Sequence, residues 1–268
     1  MAKFNKGVFA VIPSPEQQMF AEQLAELSAA VIRPYFRSAL AVDDKSDASP
    51  VTQADREAEQ AMRALIKATR PQDGIIGEEF GNENEDADWV WVLDPVDGTK
   101  AFITGRPIFV TLIGLLYRGV PVLGVINQPI ANERWLGVVG QGCTLNGKAV
   151  TVSTVNELAR ARIGTTGPQY YGAAGIAAFN QLSQAGRFTV YGGDGYQFAL
   201  LASGGMDVVV EEGLKLHDFA AVAPVVIAAG GFMSDWQGQP LQKGSDGRVL
   251  AAASEALQQA ALAILSQA

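Results

Sequence analysis

The stretch Trp89-Val90-Trp91-Val92-Leu93-Asp94-Pro95-Val96-Asp97-Gly98-Thr99 decides how the rest of the chain is read. Its first five residues, all β-branched, aromatic or otherwise apolar, predict a buried strand. Asp94 emerges at the end of that strand, Pro95 forces a bend, and Asp97 follows three residues later. Two carboxylates on one tight turn repel each other unless a cation sits between them. Gly98-Thr99 allows close backbone approach and opens a short predicted helix, Lys100-Ala101-Phe102-Ile103-Thr104, stopped by Gly105 and Pro107. The unpaired N–H groups at a helix start suit an anion. A cation site and an anion site thus fall within one short segment, which points to metal-assisted phosphate chemistry.

On the amino side, apolar positions at helical spacing predict a helix from Glu16 past Leu24, Leu27 and Val31, ended at Pro34. Asp43-Asp44-Lys45-Ser46-Asp47-Ala48-Ser49-Pro50 reads as a polar loop. Thr52, with Asp55 three residues on, gives a capping-box-like start to a second helix that runs through Leu65 and Ile66 to Pro71. A short strand at Ile75-Ile76 delivers Gly77-Glu78-Glu79. On the carboxyl side, residues 108–117, 120–126 and 134–139 read as an antiparallel meander, and Leu145-Asn146-Gly147-Lys148 carries a hairpin signal. From about residue 156 the pattern alternates. Strands are expected at Ile163, 188–191 and 206–211, and helices at 176–185, 196–202, 218–229 and 254–266. This predicts a layered α/β architecture in two parts, residues 1–155 and 156–268.

Composition narrows the function. The chain has 268 residues, 48% of them hydrophobic, and 29 glycines, which suits a loop-rich α/β core. No apolar run approaches the roughly 20 residues that a membrane span needs. Met1 to Phe9 lacks a signal-peptide pattern, so a cytoplasmic protein with no membrane role is expected. Cys143 is the only cysteine, which excludes an internal disulfide framework and a cysteine-cluster zinc site. Acidic residues outnumber basic ones 28 to 20 without any Lys/Arg block, so nucleic acid is not an expected partner. A small phosphorylated metabolite still suits an acidic protein, because bound divalent cations invert the local field.

Four acids lie where a strand or Gly-rich loop ends or a helix begins: Glu78, Asp94, Asp97 and Asp218. Oxygen-only donors without His or Cys ligands beside them suit a hard cation such as Mg²⁺. A lone acid in such a place also serves as a helix cap, and Asp218 is open to either role. Capping one helix does not need both Asp94 and Asp97. His217, the only histidine, has a catalytic role and a packing or hydrogen-bonding role open to it. Cys143 has no base indicated beside it and reads as structural. Phosphate-loop, dinucleotide and nucleophile-elbow motifs are missing. Asp86-Ala87-Asp88 looks superficially like the aspartyl-phosphate phosphatase motif. It follows polar Asn82-Glu83-Asn84-Glu85 rather than a buried strand, and is set aside.

Four blocks in order resemble the inositol monophosphatase superfamily: Pro50-Val51-Thr52 with Asp55, Gly77-Glu78-Glu79, Asp94-Pro95-Val96-Asp97-Gly98-Thr99, and Asp218 with Ala229-Gly230-Gly231 behind it. The resemblance implies an αβαβα sandwich, with an antiparallel-rich first half that carries most metal ligands and a mixed second half that carries Asp218. It further implies two to three Mg²⁺ ions per site and a homodimer. Glu78, Asp94 and the Val96 carbonyl would hold one ion, and Asp94, Asp97 and Asp218 a second. Gly98 and Thr99 N–H groups would bind phosphate near Lys45. Asp55, Thr99 and Glu78 would orient and activate the attacking water. Lys100-Ala101-Phe102-Ile103-Thr104-Gly105, Tyr191-Gly192-Gly193-Asp194-Gly195-Tyr196 and Ser234-Asp235-Trp236-Gln237-Gly238 resemble the histidinol-phosphatase branch. Asp194 and Glu211 would then supply negative charge to an amino-alcohol or imidazolium group, though Asp194 is also placed to cap a helix. Leu216-His217 stands where relatives usually carry an aromatic before the last Asp. The competing expectations are an inositol 1-phosphate or sugar phosphatase, and a non-catalytic regulatory protein on the same fold.

Overall fold

A computed structural model describes residues 11–39, 42–44 and 50–268. Helix α1 (Pro15–Ile32) begins at Ser14, whose hydroxyl accepts the Gln17 N–H while the Gln17 side chain accepts the Ser14 N–H. That reciprocal cap occupies donors the helix cannot use itself. Strands β1 (Val42–Asp44) and β2 (Pro50–Thr52) pair antiparallel, which corrects the polar-loop expectation at both ends of that stretch. Asp43 is exposed on this ribbon and ion-paired to Arg56 at 2.7 Å, so its polarity concealed a strand. Lys45, the expected phosphate neighbour, lies outside the described residues.

Helix α2 (Gln53–Thr69) starts on the Thr52/Asp55 box. Then come β3 (Gly74–Gly77), β4 (Gly81–Glu83), β5 (Trp89–Asp97), helix α3 (Thr99–Ile103), β6 (Val110–Tyr117), β7 (Val120–Gln128), β8 (Glu133–Val138), β9 (Gly142–Leu145) and β10 (Lys148–Val150). They form an eight-stranded sheet in the order β10-β9-β8-β7-β6-β5-β3-β4, antiparallel throughout except for β3 beside β5. The meander stands as expected. Strand β5 does not stop at Asp94, however. Asp94 pairs with Leu112 and Asp97 with Val110, so three steps on one strand oppose two on the other, a bulge that bends the strand at Pro95.

The second sheet comprises β11 (Arg162–Thr165), helix α4 (Ala173–Ala185), β12 (Phe188–Tyr191), helix α5 (Asp194–Ala202), β13 (Val208–Glu211), helices α6 (Leu216–Phe219) and α7 (Val222–Ala228), β14 (Phe232–Ser234), β15 (Val249–Ala252) and helix α8 (Glu255–Leu265). Its five strands run β12-β11-β13-β15-β14, parallel across the first three and antiparallel at β15. The single helix expected over 218–229 is thus two short ones, and Asp218 lies inside the first. Strands β14 and β15 were not anticipated, being three and four residues long. Every residue of β15 is buried, so it shows no alternation to read.

Five layers result. Phe20, Leu24, Met62 and Ile66 of α1 and α2 pack on Trp91, Leu93, Ile113 and Val125 of the large sheet. Its other face, through Leu112, Ile126 and Trp135, meets Phe198 and Leu201 of α5 and Val222 and Val225 of α7, which also contact Val209 and Ala251 of the small sheet. Beyond that sheet, Phe179 and Leu182 of α4 and Leu257 and Ala261 of α8 close the stack. The order is αβαβα.

The middle layer is seated by three glycines that are neighbours across the large sheet: Gly114 faces Gly124, and Gly124 faces Gly137. A Cβ on Gly114 would strike the Ala220 backbone, one on Gly124 the Ala221 carbonyl, and one on Gly137 the backbone at Pro224 and Val225. This furrow brings the chain just after Asp218 into direct backbone contact with the sheet. Among the described residues no helix is long and apolar enough to cross a membrane.

Candidate active site

The bulge in β5 is held from beneath. Thr111, fully buried, donates its hydroxyl to the Pro95 carbonyl at 2.8 Å, and Ser28 of α1 lies 3.2 Å from that hydroxyl. Asp94 turns back to accept the Val96 N–H at 3.1 Å, and the Thr99 hydroxyl donates to the Val96 carbonyl at 3.1 Å. A carbonyl oxygen has a second lone pair, so Val96 keeps acceptor capacity. Gly98 has φ +84°, a conformation that L side chains rarely adopt, and α3 starts directly after it.

Three other elements bring acids to this turn. Strand β3 ends at Gly77, placing Glu78 beside Leu93, whose carbonyl accepts the Glu78 N–H at 3.2 Å. The first turn of α2 supplies Asp55, buried, whose Oδ2 takes both the Thr52 N–H at 3.0 Å and the Thr52 hydroxyl at 2.5 Å. Its Oδ1 is buried and has no hydrogen-bond partner among the described residues. Helix α6 supplies His217 and Asp218. Asp218 takes the cap role, its Oδ2 accepting the Lys215 N–H at 2.6 Å, while its Oδ1 lies 3.6 Å from His217 Nε2.

Two overlapping groups follow. Asp94, Asp97 and Asp218 offer oxygens all within 4.8 Å of one another, and Glu78, Asp94 and His217 offer a second such trio. Burial pushes the Asp94 carboxyl well above the usual range, and the charges of Glu78, Asp97 and Asp218 push it further. Asp97 is raised the same way by burial and by Asp194 and Asp218, against the Gly195 N–H it accepts. Asp218 is raised by burial, with His217 opposing. Asp55 is pushed up to about 6, chiefly by burial. Asp94 and Asp97 are thus raised by burial and by their acidic neighbours, while His217 and Lys215 only partly offset the charge of Asp218. The donor set of carboxylates, a carbonyl and an orphaned carboxylate oxygen fits a hard divalent cation. The imidazole of His217 is the one nitrogen among them.

A cavity of about 340 Å³ opens from this cluster, lined by Glu78, Asp97 and Asp218 together with Asp194, Glu211 and Glu212. Asp194 is not the helix cap that one reading allowed: Gly193 holds that position and no side-chain cap bond forms. Instead Asp194, at φ +43°, lies over Gly98, where a Cβ would sit 3.0 Å from its Oδ2. Glu211 accepts the Thr166 N–H at 2.6 Å, and burial pushes its carboxyl up to about 8. At the rim, Lys100 of α3 donates to the Tyr170 hydroxyl at 2.6 Å, bridging the two halves.

The structure therefore brings together Asp55, Glu78, Asp94, Val96, Asp97, Gly98, Thr99, Asp194, Glu211 and Asp218. Sequence reading missed Tyr170, Glu212 and Lys215 as cavity residues, and left His217 undecided. Only the doubled acid Glu211-Glu212 at a strand end carried a signal.

Residues 16–268 match the inositol monophosphatase family. The chain is 47% identical over 218 residues to the bifunctional phosphatase IMPL2 of Arabidopsis thaliana, which covers 81% of this chain and 63% of the plant protein. It thus spans under two thirds of that relative's length. It is 36% identical to a histidinol-phosphatase of Chlorobaculum parvum over 91% of this chain and 94% of the relative. An inositol monophosphatase structure from Zymomonas mobilis superposes with a TM-score of 0.87 at 47% identity, covering 95% of this chain and 100% of that one.

Proposed function

The chain belongs to the inositol monophosphatase family, whose members act on small phosphorylated substrates, and from that premise we propose that it is a Mg²⁺-dependent L-histidinol-phosphate phosphatase. The observation that carries the reading is the convergence of Asp94, Asp97 and Asp218 from two layers to within 4.8 Å of one another, where burial and the charge of neighbouring acids raise all three carboxyls. Two to three Mg²⁺ ions, when bound, would clamp the phosphate oxygens and lower the pKa of a coordinated water.

The chain's own residues do the rest. Glu78, Asp94 and the Val96 carbonyl would hold one cation, and Asp94, Asp97 and Asp218 another. Asp55, with its Oδ1 uncommitted, and the Thr99 hydroxyl would orient the attacking water, and Asp55 Oδ1 is the atom to receive its proton. The N–H groups of Gly98 and Thr99 would take the phosphate. No covalent protein nucleophile is needed.

Substrate choice rests on three further acids that line the cavity. Asp194, Glu211 and Glu212 there favour a cationic leaving group, and a bound ammonium or imidazolium would return Glu211 to its charged form. The Zymomonas likeness favours a second reading, a neutral inositol or sugar phosphate. We also take residues 1–155 and 156–268 as the functional division, and a homodimer as the working assembly.

Phosphate release from a panel of phosphomonoesters, with and without Mg²⁺, tests this. Turnover should require the metal and be highest on histidinol phosphate, and Asp94→Asn should abolish it in a folded protein. Asp194→Ala should reduce histidinol phosphate turnover at least tenfold more than that of a polyol phosphate. Equal losses would return the substrate to the neutral class, and near-normal activity of Asp94→Asn would end the metal assignment.

A further inference from the structure

Helix α2 carries a second acid, Glu59, one turn beyond Asp55, that the proposed chemistry does not use. Its side chain is fully buried. Oε2 accepts the Glu79 N–H at 2.8 Å, and Oε1 accepts both the Phe80 N–H at 3.1 Å and Arg63 Nε at 2.7 Å. Arg63, also buried, passes its remaining donors to Glu83 Oε1 at 2.9 Å and to the Gly81 carbonyl. The segment immediately after Glu78 is therefore tied to α2 through one carboxylate and its partner. On the other side of Glu78, a Cβ on Gly77 would run into Glu59 Oε1 and Arg63 Nη2. Both flanks of Glu78 meet the same buried pair.

Stability alone does not account for a charged pair in this place. A buried ion pair is a weak source of net stability, and apolar residues of similar volume often replace one at no loss. An apolar side chain cannot accept two successive backbone N–H groups, however. A glutamine offers one acceptor oxygen and turns its own N–H₂ toward a donor. The feature that demands a carboxylate is the Glu79-Phe80 backbone.

We propose that Glu59, held by Arg63, is a positioning residue that fixes Glu78 in the acidic cluster and ties it to the turn of α2 bearing Asp55. This rests on the reading of Glu78 as a cation ligand. Its consequence is that removing the pair weakens cation binding without weakening substrate binding.

Two variants of the full chain and one measurement on the unaltered protein decide it. Glu59→Leu with Arg63→Met removes the pair with volume roughly kept, and Glu59→Gln removes only the charge. In whichever variants fold by circular dichroism, calorimetric titration with Mg²⁺ should show at least a tenfold weaker dissociation constant. At saturating Mg²⁺, kcat should fall at least tenfold while KM stays within threefold. A folded variant whose Mg²⁺ affinity lies within twofold of the unaltered protein overturns the proposal. In the unaltered metal-free protein, the Glu79 and Phe80 amides should exchange with solvent at least a hundredfold more slowly than an open loop, and loop-like exchange overturns it even if neither variant folds. Should the unaltered protein bind no Mg²⁺ and cleave no phosphoester, the functional reading has failed, while the exchange data still decide whether Glu59 holds this backbone.

Discussion

Glu211 sits at the end of β13, bonded to the Thr166 N–H at 2.6 Å and 3.4 Å from the Thr165 hydroxyl. Burial nevertheless raises its carboxyl from 4.5 to about 8, and the charge of Asp194 adds to the rise. The folded state thus holds a proton that the unfolded chain releases earlier. The stabilisation is complete below the unfolded value of 4.5 and is lost as pH climbs to about 8. The melting temperature of the metal-free protein should accordingly fall between pH 5 and pH 8, and Glu211→Gln should flatten part of that slope. Identical slopes in the two proteins would show that the proton is not held there. At this scale the sequence was most legible where chemistry constrains spacing. Asp94 and Asp97 stood out because two acids flanking one proline after an apolar strand have no common structural use. Glu59 was illegible, because within α2 it has the appearance of one more polar residue on an amphipathic helix, and its worth lies in backbone donors contributed from beyond β3.

Helices α6 and α7 show what an element owes to its neighbours. Residues 218–229 are apolar after Asp218 and read as one helix, yet the chain breaks at Ala220-Ala221, where Pro224 would clash with the Ala220 carbonyl of a continuous helix and where the backbone presses on Gly114 and Gly124. Local propensity and tertiary contact agree there, and the proline was the signal to read. The meander of β6 to β8 was legible because each strand is long and its turns carry glycine or proline, whereas β14 and β15 are too short for a period to show. Gly124→Ala should test the seat directly. Its new methyl meets the Ala221 carbonyl, and overpacking of this kind costs about 2 kcal/mol, a few degrees of melting temperature. Because Asp218 lies just before that contact, Mg²⁺ affinity should drop alongside stability. A stable variant with unaltered affinity would show that the furrow does not set the position of Asp218.

Across the whole molecule, the small sheet ends, among the described residues, at β12, which pairs with β11 on one side only. Phe188, Val190 and Tyr191 on that strand are 47%, 42% and 54% exposed. An unpaired edge bearing apolar side chains invites association, and a second copy of the chain is the occupant that the homodimer reading calls for. Light scattering should therefore report a dimer for the unaltered protein and a monomer for Val190→Lys. A dimer that survives the lysine moves the interface elsewhere. A layered α/β architecture was legible in outline through the change from meander to alternating pattern near residue 156, and its αβαβα order through the family resemblance. The sharing of α5 and α7 by both sheets was not, since no local pattern says which surface a helix has on its far side.

That shared middle layer has a further consequence. Each sheet has an outer core of its own, but Phe198, which lines the pocket, belongs to an interior common to both. Loosening either slab dismantles the chamber where they meet. A pocket walled from both slabs should vanish in one step with the fold, because no single surviving portion retains a complete set of walls.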